Sequence, residues 1–123
     1  WAGSPLAAYA DEFTSTDFVV GWNMCQPGGS HPARNYSFNL AKRSIVIATL
    51  VSISPSWAYS TIGHNGVVCG SNSERNESGS GIAATATCTA ILEKGLNNLH
   101  FCTFTGATPS GSILVTPLEE IAN

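Results

Sequence analysis

Apolar and polar residues alternate in short runs along much of this sequence, which is the period of β-strands. Residues 35–40 place Tyr36, Phe38 and Leu40 on one face. Residues 44–53 are apolar on both faces, which predicts a central strand buried on two sides. The other runs that predict strands are residues 17–24, 57–62, 67–69, 82–92, 99–105 and 113–116.

Turn-forming residues separate these runs. Residues 63–66 contain an Asn-Gly pair, a strong hairpin signal, and the Gly/Ser-rich residues 70–81 predict a mobile, exposed loop. The pattern predicts one all-β domain over residues 1–123, a compact barrel or sandwich of about seven or eight short strands. Residues 1–16 form an N-terminal arm, in which Ser4 followed by Pro5 is a pattern that opens short helices.

The four cysteines, at positions 25, 69, 88 and 102, predict two disulfides and an oxidising compartment. A hairpin between residues 82–92 and 99–105 would bring Cys88 close to Cys102. We therefore favour Cys88–Cys102 with Cys25–Cys69, one of the three pairings that four cysteines allow. The sequence contains no Cys-x-x-Cys motif, which argues against a zinc or redox site.

Other features favour a secreted, extracellular protein. Asn35 and Asn76 each begin a glycosylation sequon. The sequence begins at Trp1 without Met or an apolar leader, as expected if a signal peptide has been removed. No stretch approaches the roughly 20 apolar residues of a membrane span.

Composition narrows the functional classes further. Apolar residues make up 43% of the chain and charged residues 11%, with a net charge of −3. This argues against disorder and against nucleic-acid binding. The three histidines lack metal-ligand spacing, and no Gly-x-Ser-x-Gly motif occurs. We therefore expect neither a catalytic site, nor a metal, nor a cofactor.

The predicted loops 26–35 and 70–81, together with aromatic and arginine side chains, are candidates for a binding surface, because loops on a rigid sheet often carry function. These side chains are Trp1, Trp57, Tyr59, Arg34 and Arg75.

The last third of the chain resembles a known family. Residues 83–88 (AATATC), 98–102 (NLHFC) and 113–118 (ILVTPL) are similar to the C-terminal part of the major Alternaria allergen family of small secreted fungal β-barrel proteins. Two features depart from that family: Cys25 and Cys69 are 44 residues apart, and no further cysteine remains for an intermolecular bond.

The resemblance implies a secreted fungal elicitor or effector that triggers plant defence or cell death. Such a protein would act without catalysis by binding a plant cell-surface or apoplastic protein or a glycan. Because no further cysteine remains for an intermolecular bond, we expect a monomer.

Two alternatives remain. A carbohydrate-binding protein would present two or more coplanar, exposed aromatic rings on one sheet face. A small secreted hydrolase such as a ribonuclease would bring a histidine together with a carboxylate in a pocket. The side chains available for that chemistry are His31, His64 and His100 with Glu74, Glu77 or Glu93, and Arg34 or Arg75.

Overall fold

The computed structural model of the protein describes residues 6–22 and 30–118, with only the backbone of residues 21, 22 and 30. Alternating runs of apolar and polar residues form nine strands in this part of the chain, with one 3-10 turn at Ser15–Asp17. The strands are β1 Tyr9–Phe13, β2 Val19–Trp22, β3 Ser30–Leu40, β4 Ser44–Ser54, β5 Trp57–His64, β6 Val67–Arg75, β7 Ile82–Leu92, β8 Gly95–Thr103 and β9 Thr108–Pro117.

The strands form two antiparallel sheets. The four-stranded sheet has the order β1-β9-β4-β7, and the five-stranded sheet has the order β2-β3-β8-β5-β6. The prediction of an all-β fold is confirmed, and the fold is a sandwich because the two sheets do not close into a barrel. The strands are more numerous than predicted, and β3 and β6 are longer, with 11 and 9 residues, whereas β7 has the predicted bounds.

The core lies between the sheets, where strands such as β4 and β7 bury alternate side chains. Phe101 of the five-stranded sheet meets Phe13 of the four-stranded sheet edge to face, with 4.7 Å between ring centroids. Other fully buried side chains are Phe38, Leu40, Val46, Leu50, Ile62, Leu99, Ile113 and Val115.

Strand β4 is central in its sheet, as predicted, but only one of its faces is buried. Val46 and Leu50 point into the core, whereas Ile47 is 39% exposed and Ile53 is 54% exposed. The expectation of burial on two sides was wrong because a two-layer sandwich covers only the inner face of each sheet.

The N-terminal arm contains a strand where the sequence suggested a helix. Tyr9–Phe13 pairs with β9 in antiparallel register, and Leu6 bridges to Leu40. Pairing with a sheet edge satisfies this backbone over several residues, which outweighs a local cap signal. Ser4 and Pro5, which carried that signal, lie outside the described residues.

Both predicted loops are shorter than expected. Strand β6 extends through Arg75, so only residues 76–81 of the predicted loop 70–81 connect two strands. Strand β3 begins at Ser30, so residues 30–35 of the predicted loop 26–35 are also in a sheet, and residues 26–29 lie outside the described residues. Polar composition suggested loops here, although an exposed strand is equally tolerant of polar side chains.

The disulfide pairing differs from the favoured one, because Cys69 of β6 is bonded to Cys88 of β7, with 5.3 Å between their Cα atoms. The predicted Cys25–Cys69 and Cys88–Cys102 pairs were therefore wrong. They assumed a hairpin of β7 and β8, whereas these strands belong to different sheets. Cys102 is also disulfide-bonded, and Cys25 lies outside the described residues.

The Cys69–Cys88 bond closes one side of the sandwich, where the edge strands β6 and β7 meet. The backbones approach so closely there that a Cβ atom on Gly70 would lie 2.3 Å from the carbonyl oxygen of Thr87. Glycine is therefore required at this position. Within the described residues, no helix is long and apolar enough to cross a membrane.

Candidate functional site

The outer face of the five-stranded sheet carries aromatic side chains that are far apart in sequence. Strand pairing aligns Tyr59 of β5 with Ser73 of β6, and Trp57 with Arg75. Phe104 follows β8 directly, beside Tyr59. His31 near the start of β3 completes the group. We call His31, Trp57, Tyr59 and Phe104 the aromatic cluster.

The rings of the aromatic cluster contact one another at an angle. The Trp57 and Phe104 ring centroids are 4.3 Å apart with planes inclined by 50°. Tyr59 lies 6.1–6.2 Å from each of the other three rings. Trp57, Phe104 and His31 are half-buried, whereas Tyr59 is only 6% exposed. The cluster therefore presents a bent apolar surface with Tyr59 beneath it, and not the coplanar rings expected for a carbohydrate-binding protein.

The hydroxyl of Tyr59 is buried and has no hydrogen-bond partner within the described part of the chain. An unpaired buried hydroxyl costs about 1–3 kcal/mol. Burial also raises the pKa of Tyr59 above its usual value, so the group stays a neutral O–H that can donate and accept. A buried water at this point would complete its hydrogen bonding.

Polar groups border the rings. The indole Nε1 of Trp57 donates to Ser73 Oγ at 3.0 Å, which fixes the ring orientation. The exposed guanidinium of Arg75 lies 5.6 Å from the centroid of a Trp57 ring. An open depression beside Trp57 is lined by Ser56, Arg75 and Glu77. Rings bordered by a few fixed hydrogen-bonding groups are typical of small-ligand sites.

The structure brings together three of the five residues predicted for a binding surface. Trp57, Tyr59 and Arg75 lie side by side on this face. Trp1 lies outside the described residues.

Arg34 points inward, where its Nη2 contacts Asp11 Oδ2 at 3.2 Å and its guanidinium covers the rings of Phe13 and Tyr36 at 4.6 and 4.9 Å. These contacts give Arg34 a role in joining β1 to β3, away from the aromatic cluster.

Sequence reasoning missed Phe104, and it considered the side chain of His31 only for hydrolase chemistry. Phe104 shares its alternation with His100 and Cys102 on the outer face of β8, a signal that is present in the sequence. His31 offered no such signal, because only the pairing of β3 with β8 brings it next to Phe104.

Each of the three histidines hydrogen-bonds a neutral side chain. His31 Nδ1 pairs with Thr105 Oγ1 at 3.2 Å, His64 Nε2 with Asn97 Oδ1 at 2.8 Å, and His100 Nδ1 with Asn35 Oδ1 at 2.8 Å. None of these contacts is the histidine–carboxylate pair that the hydrolase hypothesis requires. No group of three metal-binding side chains occurs within residues 6–22 and 30–118.

The stability of the fold should decrease as the solution becomes acidic. Burial, assisted by the charge of nearby His64, lowers the pKa of His100 below its usual 6.5. The unfolded chain then binds a proton at a higher pH than the folded protein. Stability is lost as pH falls from the pKa of His100 in the unfolded chain to its lower pKa in the folded protein. The loss from this group is at most about 1.4 kcal/mol per pH unit.

Urea denaturation at pH 7.5 and at pH 5 would measure this loss. His100→Gln keeps a side-chain donor for Asn35 but does not titrate, so its stability should fall less between the two pH values. An equal fall in both proteins would show that other groups cause it.

Comparison with known proteins rests on structure alone, because no protein-family model and no curated protein matches the sequence. The CBM36-1 domain of a multidomain xylanase from the hindgut metagenome of Trinervitermes trinervoides has 11% identity and a TM-score of 0.52. The match covers 91% of this chain and 100% of that domain. A family 35 carbohydrate binding module from an environmental isolate has 14% identity and a TM-score of 0.52, over 89% of this chain and 98% of the module.

A longer enzyme also contains a similar region. A cycloisomaltooligosaccharide glucanotransferase from Paenibacillus sp. matches 85% of this chain with 10% identity and a TM-score of 0.48, and this chain spans 18% of its length. At these identities the likeness is one of fold. The protein is thus a two-sheet β-sandwich similar in fold to carbohydrate-binding modules.

Proposed function

We propose that this protein binds carbohydrate through the aromatic cluster. The observation that carries the proposal is a pair of half-buried rings, Trp57 and Phe104, whose centroids lie 4.3 Å apart on the outer face of the sheet. The similarity in fold to family 36 and family 35 carbohydrate-binding modules supports the same function. Together, the rings and the fold similarity favour carbohydrate binding over the elicitor hypothesis. The elicitor hypothesis gives no reason for an aromatic cluster on this face.

Recognition would combine two kinds of contact. The apolar C–H face of a sugar ring packs against Trp57 or Phe104, where aromatic rings supply a large area with little conformational freedom to lose. Sugar hydroxyls then hydrogen-bond to Ser73 or Arg75 beside the rings. The Trp57 ring is already held in place by its hydrogen bond to Ser73, which lowers the entropic cost of binding.

The ring geometry favours a single glycan chain over a flat crystalline surface. Trp57 and Phe104 are inclined by 50°, so the two rings cannot both lie flat against one plane. A flexible oligosaccharide can follow the bend by changing its glycosidic torsions. We therefore expect binding to soluble oligosaccharides rather than to crystalline polysaccharide.

We infer that this binding takes place outside the cell. The Cys69–Cys88 disulfide is typical of proteins in oxidising compartments.

Replacing Trp57 by alanine should weaken oligosaccharide binding by about tenfold or more, because the loss of a ring contact worth about 1.4 kcal/mol corresponds to a factor of ten. A glycan array would identify a ligand for the wild-type protein, and isothermal titration calorimetry would measure its affinity. Ile91→Ala is the matched control, since Ile91 is an exposed apolar residue on the other sheet. Unchanged affinity of the Trp57 variant, or no array binding by the wild-type protein, would refute the proposal.

A further inference from the structure

The two sequons differ in whether the side-chain N–H groups of their asparagines are already hydrogen-bonded. Asn76 lies in the loop between β6 and β7, and its Nδ2 donates to Ser80 Oγ and to the carbonyl oxygen of Gly81, both at 3.0 Å. Its Oδ1 accepts from the backbone N–H and the hydroxyl of Ser78. Both N–H groups of this amide are therefore used, and a sugar on the nitrogen would remove at least one bond and displace the loop.

Asn35 is exposed on the outer face of the five-stranded sheet. Its Oδ1 pairs with His100 Nδ1, whereas its Nδ2 makes no hydrogen bond to the described residues. The Asn35–His100 contact uses only the oxygen, which an N-linked sugar leaves in place. The glycosylated amide would keep one N–H and its oxygen, so this contact can persist.

The strand arrangement also leaves space for a sugar at Asn35. Strand β2 pairs only with residues 30–33 of β3, so β3 forms the sheet edge beyond Ala33. A glycan leaving Asn35 can extend outward and past this edge. Asn35 and His31 are four residues apart on the same face, or about 13 Å, so the glycan would begin beside the aromatic cluster and not on it.

We propose that Asn35 is the N-glycosylation site of this protein and that Asn76 remains unmodified. In the reaction, the Asn35 amide nitrogen forms a bond to the anomeric carbon of an oligosaccharide carried by a lipid diphosphate. The bond from that carbon to the diphosphate oxygen breaks, the lipid diphosphate leaves, and the amide nitrogen loses one proton. The product adds a hydrophilic chain to the half of the sheet face that carries Asn35 and His100.

Secretion of the full chain from a eukaryotic host tests the proposal. Enzymatic release of N-glycans in ¹⁸O-labelled water, followed by peptide mass spectrometry, would mark each occupied asparagine. We expect label at Asn35 and none at Asn76. Asn35→Gln should lose the whole glycan mass, and Asn76→Gln should keep it.

The Asn35→Gln protein could fail to fold and be secreted, so two further variants change the sequon at Ser37 and leave Asn35 in place. Ser37→Ala removes the sequon but retains Asn35 and its contact with His100, and it should also lose the glycan. Ser37→Thr preserves the sequon and should keep the glycan. Label at Asn76, or an unmodified Asn35 in the secreted wild-type and Ser37→Thr proteins, would overturn the proposal.

Discussion

Replacing Phe101 by alanine is expected to lower the free energy of unfolding by about 3–5 kcal/mol, the range for removing a buried phenylalanine ring. Phe101 is fully buried in β8 and packs edge to face on Phe13 of the opposite sheet. The substitution therefore leaves a cavity at the contact between the two sheets. Because domains of this kind have about 5–15 kcal/mol of stability in total, the variant should be close to unfolding at 37 °C.

Chemical denaturation monitored by tryptophan fluorescence would measure this loss. Leu96→Ala is the matched control, since Leu96 lies on the same strand but is 70% exposed. It should change stability by no more than about 0.5 kcal/mol. A loss below about 1 kcal/mol for the Phe101 variant would mean that this ring does not join the two sheets.

Removing the Cys69–Cys88 disulfide should cost about 3 kcal/mol. The bond closes a loop with a sequence separation of 19, and the loop-entropy relation gives about 3 kcal/mol for a loop of this size. Most of this effect arises in the unfolded chain, which gains freedom when the cross-link is absent. The double variant Cys69→Ala/Cys88→Ala should therefore keep its fold and unfold at a lower urea concentration.

The control for this variant is Val68→Ala, a change at a 57% exposed residue on the same strand as Cys69, which should leave the unfolding midpoint nearly unchanged. Peptide mapping of the unreduced wild-type protein should recover Cys69 and Cys88 in one cross-linked peptide pair. Recovery of Cys88 linked to Cys102 would contradict the structure directly. A midpoint that does not move would show that the bond contributes nothing to stability.

These two contacts hold the sandwich together in different ways. Phe101 stabilises the core through burial, whereas the disulfide and the close approach at Gly70 connect the edges of the two sheets. Neither contact involves the outer face of the five-stranded sheet. Substitutions on that face should therefore change binding without changing stability. Equal unfolding midpoints of variant and wild-type protein would verify this for each variant.

Local alternation was enough to predict most strands. Residues 35–40, 44–53, 82–92 and 113–116 all lie within observed strands, because the period of two follows directly from the pleated backbone. The same alternation, continued backward from Tyr36, places Arg34 on the inner face. The prediction that Arg34 belongs to a binding surface ignored this signal because it placed Arg34 in a loop.

The all-β class was thus readable from the sequence, whereas three other features required the tertiary structure. The disulfide partner of Cys88 depends on β7 and β8 lying in different sheets, although a short link joins them. The aromatic cluster joins side chains from positions 31, 57, 59 and 104, which only strand pairing brings together. The freedom of the Asn35 amide, compared with that of Asn76, depends on hydrogen bonds that no sequon encodes. The sequence by itself determined the strands because strand formation depends mainly on near neighbours in the chain. The tertiary structure decided which strands and cysteines pair, because these pairings depend on contacts between distant residues.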